Sequence, residues 1–146
     1  MDKEELINLI RDKISEKMQY FEKLILETRA SSNDTKSSMG DKYETGRELL
    51  QQEINNLQVQ LNEILKQKDF MKTVLVKPSY KAEKGAIVKT DKGLFFISVS
   101  LGEVKTDNQK IICISPESPL AKAMNGKQKD EVFSINNINQ KIENIW

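Results

Sequence analysis

The chain contains no histidine, and that absence removes more chemistry than any residue present supplies. Without an imidazole there is no ordinary general base near neutral pH, no Ser-His-Asp or Cys-His pair, and no histidine-bearing zinc site. A single cysteine, Cys113, leaves no intrachain disulfide and no thiolate zinc cluster. Set inside the apolar run Ile111 to Ile114 with no activating neighbour, it reads as a small core residue, not a nucleophile. Six glycines and three prolines among 146 residues are too few for a disordered or collagenous chain. No apolar run approaches the roughly 20 residues needed to span a bilayer. The charged start Met1-Asp2-Lys3-Glu4-Glu5 does not resemble a secretory signal, so a cytoplasmic protein with no membrane partner is expected. Charge of one sign is scarce too, with 23 basic and 22 acidic residues for a net charge of +1, so there is no strong global field to gather nucleic acid or lipid.

What is present falls into two grammars. Apolar residues recur at Leu6, Ile10, Ile14, Met18, Phe21 and Ile25, in steps of three and four, which predicts an amphipathic helix from about Lys3 to Arg29. A second stripe, Leu50, Ile54, Leu57, Leu61, Ile64 and Met71, has the a/d spacing of a coiled-coil seam. The polar, small-residue stretch from Ala30 to Gly40 is expected to connect them, so the helices fold back as an antiparallel hairpin over residues 1–73 whose tip lies near 31–47. Gly46 within the helical pattern costs about 1 kcal/mol relative to alanine, which suggests close approach of another backbone there.

From about Val74 the pattern changes to short β-branched and aromatic runs between turn residues, predicting a small β-rich domain over 77–146. Ala86 to Thr90 and Leu94 to Val99 flank Asp91-Lys92-Gly93, a hairpin turn with Gly93 expected at positive φ. Lys110 to Ile114, Glu131 to Ile135 and Lys141 to Trp146 complete the predicted strands, the last two joined through the turn-forming pair Asn136-Asn137. Ser118 to Gly126 reads as one short helix, capped by Ser118, opened by Pro119 and stopped by Gly126. The fold class is therefore α+β, a helical hairpin followed by a β-rich domain with one short helix. The first 76 residues carry a net charge of −2 and the remainder +3, a small asymmetry that allows two surfaces with different partners.

The hairpin tip is the one concentrated polar site. Asp34, Asp41 and Glu44 stand among Lys36, Lys42 and Arg47. Carboxylates without histidine or cysteine suit a hard cation such as Mg²⁺, which keeps several waters and shares its coordination with phosphates or a partner's acids. Asp41-Lys42-Tyr43-Glu44 also has the spacing of a capping box, in which Asp41 and Glu44 satisfy free amides at the start of the second helix. The two roles are compatible. Tyr43 and Arg47, four residues apart, share a helical face and either contact a partner or pack on each other. Gly126-Lys127 lacks the remaining residues of a phosphate loop and follows a helix instead of opening one, so it is a turn.

The run Ser118-Pro119-Leu120-Ala121-Lys122-Ala123-Met124-Asn125-Gly126-Lys127-Gln128-Lys129-Asp130-Glu131-Val132, placed after a helical hairpin, resembles the bacterial Gre transcript-cleavage factors, GreA and GreB. Their C-terminal domain has an FKBP-like fold and carries S-P-I/L-A/G-x-A-L/M-L/I/M-G-K-x-x-G-D-x-V. Asn125 stands at a usually apolar place and Lys129 where the family prefers glycine. The resemblance implies a monomeric factor that docks its β domain, with Ser118, Pro119, Gly126 and Lys127, on RNA polymerase and inserts the coiled coil into the secondary channel. It implies that tip acids there help hold a Mg²⁺ shared with the polymerase, next to the nascent RNA 3′ end and the DNA of the elongation complex. No cofactor is then bound stably, and the protein is not itself an enzyme but stimulates the polymerase's own RNA hydrolysis. By analogy the acids are Asp41 and Glu44, with Arg47 as a phosphate contact. A second alignment of the family's G-D-L-K-E-N-A-E-Y tip uses Asp34 and puts Ser37 in the place of the glutamate. The competing readings are a Gre-like polymerase regulator without cleavage activity and a non-enzymatic coiled-coil/FKBP-like adaptor whose tip acids only cap a helix. A prolyl isomerase pocket is not expected, since Phe95, Phe96, Phe133 and Trp146 suffice only for a small core.

Overall fold

The computed structural model describes residues 1–36, 42–106 and 108–146, with side chains described for all of these except 32–36 and 42–45. Two long helices lead the chain, α1 over Lys3–Lys36 and α2 over Lys42–Lys72. Six strands and a short helix follow: β1 Ile87–Thr90, β2 Gly93–Ile97, β3 Gly102–Lys105, β4 Lys110–Ile114, α3 Pro119–Met124, β5 Val132–Ile135 and β6 Ile138–Ile145. The expected architecture of a helical hairpin followed by a β-rich domain with one short helix is what the chain adopts. Compactness divides it into residues 12–68 on one side and residues 1–11 with 69–146 on the other.

In the helical unit the two stripes meet as a seam. Ile25, Ile54, Leu57 and Leu61 form a buried cluster against which Met18, Phe21 and Leu24 pack. Gln67 occupies the seam phase between Ile64 and Met71, and its Oε1 is buried without a hydrogen-bond partner among the described residues, a polar cost within the stripe. The first helix corrects the expected connector, because it continues through Ala30 as far as Lys36. Thr28 and Ser31 donate their hydroxyls to the carbonyls of Leu24 and Glu27, at 2.8 and 3.2 Å. Such back-bonding lets small polar residues remain inside a helix. Gly46 corrects a second expectation, since among the described residues a Cβ added there would meet nothing within 4 Å from another element. The variant Gly46→Ala should therefore stabilise α2 by about 0.5–1 kcal/mol, read as an upward shift of the urea midpoint of the full chain.

In the β unit the strands lie in the order β3-β4-β2-β1-β6-β5. Among the described residues only β2 and β4 pair in parallel, with Phe96 opposite Cys113. Strand β3 is an addition to the sequence reading. Its single buried side chain is Val104, opposite Ile111, so pairing with β4 rather than its own hydrophobic pattern makes it a strand. Asn136 and Asn137 both take positive φ, 53° and 64°, the mirror-image turn that a two-residue hairpin needs. Gly93 does not take the positive φ expected of it. The β1–β2 turn is held by Thr90, whose Oγ1 accepts the Lys92 amide at 3.0 Å.

The sheet is buried on both sides at its centre. Val88, Phe95, Ile97, Phe133 and Ile142 face one cluster with Ala82, Ala86 and the α3 residues Ala121 and Met124. The alternating residues Ile87, Phe96, Ile111 and Cys113 point the other way and are buried as well. Within this same unit Leu6, Ile7, Ile10 and Met71 are all at most 1% exposed. The first turns of α1 and the last of α2 thus belong to the compactness of the β unit. Asp2 caps α1, accepting the Glu5 amide at 3.0 Å, and Glu4 and Glu5 follow in the first turn where the helix dipole favours acids.

Candidate functional site

Two places are expected from sequence, and a third emerges only in the structure. At the tip, Asp41 lies outside the described residues. Asp34, Tyr43 and Glu44 lie on described helical backbone, at the end of α1 and the start of α2, with side chains that are not described. Arg47, one turn into α2, is partly buried, and its Nε has no hydrogen-bond partner among the described residues. Among the described residues no group of three or more acids or cysteines is placed to hold a metal ion. A Mg²⁺ site built from Asp41 and Glu44 is therefore an expectation from sequence alone.

The motif Ser118 to Val132 folds as its residue types require. Ser118 Oγ accepts the Ala121 amide at 3.1 Å, Pro119 opens α3, and Gly126 ends it at φ 77°. Gly126 then donates to the Ala82 carbonyl at 2.8 Å, while Ala82 donates to the Lys127 carbonyl at 2.8 Å. This reciprocal pair stitches the motif to the start of the sheet domain. Glu131 closes the following turn, its carboxylate accepting the Gln128 amide at 3.0 Å. Asn125 is exposed, so a polar residue at this usually apolar place disturbs no core. Lys129 takes no positive φ. The left-handed residue is Asp130, at φ 72°, whose amide reaches the Ile142 carbonyl at 2.8 Å. The motif therefore buries Ala121 and Met124 and presents Pro119, Lys122 and Asn125 to solvent. Ser118, Pro119 and Gly126 each have a backbone role that accounts for their presence.

The third place centres on Lys3, which is 8% exposed. Its ammonium donates to the Lys77 carbonyl at 2.7 Å, to Ser79 Oγ at 3.3 Å and to the Trp146 carbonyl at 3.2 Å. It ties the start of α1 to the segment after α2 and to the end of β6. Burial holds its pKa below the ordinary 10.5; Glu83 opposes that shift and Lys77 reinforces it. Sequence reasoning missed this group, although a signal exists. Lys3 falls four residues before Ile7 and seven before Ile10, in phase with the buried stripe, and a charge in that phase must find acceptors.

Removing the three donated bonds in Lys3→Met leaves two carbonyls and a hydroxyl to be satisfied. The variant should lose about 1–3 kcal/mol of stability by urea denaturation near neutral pH. A lowered pKa means that the unfolded chain holds the proton more tightly than the folded one between the lowered value and 10.5. The gap between wild type and variant should therefore widen as pH rises through that window and stay flat below it.

No protein-family model matches the chain, and no curated protein matches it by sequence. Among solved structures, Gfh1 of Thermus aquaticus is similar over 92% of this chain and 92% of its own, at 14% identity and a TM-score of 0.36. A second structure, of the transcription factor Gfh1, covers the same shares at 14% identity and a TM-score of 0.38. The GreA factor homolog 1 (Gfh1) protein of Thermus thermophilus is similar over 97% of this chain and 93% of its own, at 18% identity and a TM-score of 0.35. Likeness at this level leaves the function to be argued from the chain's own residues.

Proposed function

We propose that this protein is a Gre-like factor that binds bacterial RNA polymerase, inserts its helical hairpin into the secondary channel, and promotes hydrolysis of backtracked RNA by the polymerase. The observation that carries the reading is the Ser118–Val132 run. Its capped helix, glycine stop and stitched turn occur on a β domain that follows two long helices, the order of parts in the family that the run resembles. In this reading Asp41 and Glu44 at the tip donate oxygen ligands to a Mg²⁺ shared with the polymerase, and Arg47 contacts phosphate. Asp41 and Glu44 would hold the ion together with the polymerase's own ligands, and the ion would supply an acidified water and charge stabilisation for hydrolysis of the RNA phosphodiester. The protein supplies ligands and position, and the polymerase supplies the remaining catalytic groups.

The test is RNA length in stalled, backtracked elongation complexes at fixed Mg²⁺. Shortened transcripts are expected with polymerase and protein together, and none with protein and RNA alone. A second reading, a polymerase regulator that does not cleave, is favoured by Ser37 standing where one tip alignment requires glutamate. Altered elongation with full-length transcripts would select it.

A further inference from the structure

Strand β3 ends the sheet, with β4 on one side and no strand on the other among the described residues. Two hydrogen bonds show which of its residues turn to the open side. Ser98 donates its amide to the Ile114 carbonyl at 2.8 Å, which directs the backbone of Ile114, and by alternation that of Ile112, towards β2. Ile111 and Cys113 therefore bond to β3, where they face Val104 and Gly102. Thr106 donates to the Gln109 carbonyl at 2.9 Å, two residues along from Val104, in the same alternation. The N–H and C=O groups of Glu103 and Lys105 thus point away from the sheet. No bond from elsewhere in the chain reaches them among the described residues.

The side chains of these two residues carry a charge pattern that specifies what can pair here. Lys105 stands opposite Lys110 across the two strands, and Glu103 stands opposite Ile112. Like charges directly opposed repel, and Glu103 offsets this by reaching Lys110 at 3.6 Å. Lys105 itself is exposed and has no ion pair among the described residues. A strand added to this edge is therefore favoured when it sets a carboxylate opposite Lys105. Strand β3 of a second copy does so. Two antiparallel copies with Val104 on a two-fold axis place Glu103 of each opposite Lys105 of the other, and these are the residues whose backbone groups are open, so each such pair exchanges both its N–H···O bonds. A lone lysine on an edge discourages pairing, whereas alternating Glu and Lys complement their own reversal. The other edge has no such selection, because the two-residue turn between Ile135 and Ile138 directs the uncharged Val132 and Ser134 outward in β5.

We infer that β3 is a self-pairing edge, to which a second copy of this chain adds as an antiparallel strand with Glu103 opposite Lys105 of the other copy. A strand of 4 residues covers less than the roughly 1,000 Å² of a stable interface, so the dimer is weak and reversible. The inference rests on the β unit alone and not on the polymerase reading.

The experiment is sedimentation velocity of the full chain over a dilution series up to about 1 mM, read beside the amide spectrum of the ¹⁵N-labelled chain over the same series. The expected result is a monomer–dimer equilibrium with Kd on the order of 50–500 μM, and concentration-dependent shifts centred on Glu103 and Lys105. Lys105→Glu relieves the like-charge contact with Lys110 inside the chain but opposes two carboxylates between copies. It should keep the fold and weaken the dimer about fivefold or more. Glu103→Lys should weaken it by a similar factor. The double variant Glu103→Lys/Lys105→Glu restores the complementarity and should return the Kd to within about twofold of wild type. Ser134→Lys, on the β5 edge, should leave it unchanged. A chain that stays monomeric at about 1 mM, a dimer indifferent to both single charge changes, a double variant as weak as the single ones, or a dimer lost in Ser134→Lys overturns the proposal. So do Glu103 and Lys105 amides that shift only when core RNA polymerase is added, since that assigns the edge to another occupant.

Discussion

A fragment carrying only residues 77–146 is expected not to fold, even though it contains every strand and α3. The reason lies in where the ends of the long helices are counted. Leu6, Ile7, Ile10, Met71 and Val74 are between 0% and 3% exposed and belong to the same compact unit as the sheet. Burying each such side chain contributes about 1.5–3 kcal/mol, so their loss removes roughly 8–15 kcal/mol as an upper estimate. That equals the whole stability of an ordinary domain, about 5–15 kcal/mol. The Lys3 bonds to Lys77, Ser79 and Trp146 disappear as well. The amide spectrum of the fragment should collapse to the narrow dispersion of an unfolded chain, while full-length protein shows dispersed strand resonances. In the intact chain Ile10→Ala should cost about 2–5 kcal/mol, because the site is closed on all sides. A fragment with native dispersion and a cooperative melt would show that the β domain is self-sufficient.

The second large effect concerns the tip. In the proposed mechanism Asp41 and Glu44 are metal ligands as well as capping residues, and only the first role matters to RNA. The double variant Asp41→Ala/Glu44→Ala should lower cleavage in backtracked complexes about 100-fold or more, the scale of a lost metal-ligand contribution of several kcal/mol. A lost cap costs only about 0.5–2 kcal/mol of helix stability. The variant should therefore keep the fold and the affinity for polymerase. Cleavage rates at saturating factor separate the two roles. An undiminished rate would reduce the acids to caps, and Asp34→Ala would then test the other alignment.

The parts of this molecule legible in its sequence are those set by local spacing. The seam at Ile54, Leu57 and Leu61 follows from steps of three and four, and the Asn136-Asn137 turn and the caps of α3 follow from residue types with narrow backbone preferences. What was not legible depends on partners distant in sequence. Strand β3 exists because β4 pairs with it, and one apolar residue, Val104, gives no alternation to detect. The helix continues through Ser31, whose hydroxyl turns back to the Glu27 carbonyl, where composition suggested a connector. Gly93 looked like a left-handed turn residue, but Thr90 organises that turn. At the candidate sites, the backbone roles of Ser118, Pro119 and Gly126 could be read in advance, whereas the Lys3 cluster joins residues up to 143 positions apart. No local pattern announces such a contact.

The most direct test of the central reading is binding of the full chain to core RNA polymerase. A fluorophore placed at the exposed Lys92 reports through anisotropy as polymerase is titrated in. Saturable one-to-one binding is predicted, displaced by unlabelled protein and weakened by occlusion of the secondary channel. An anisotropy that does not change up to several micromolar polymerase would contradict the account.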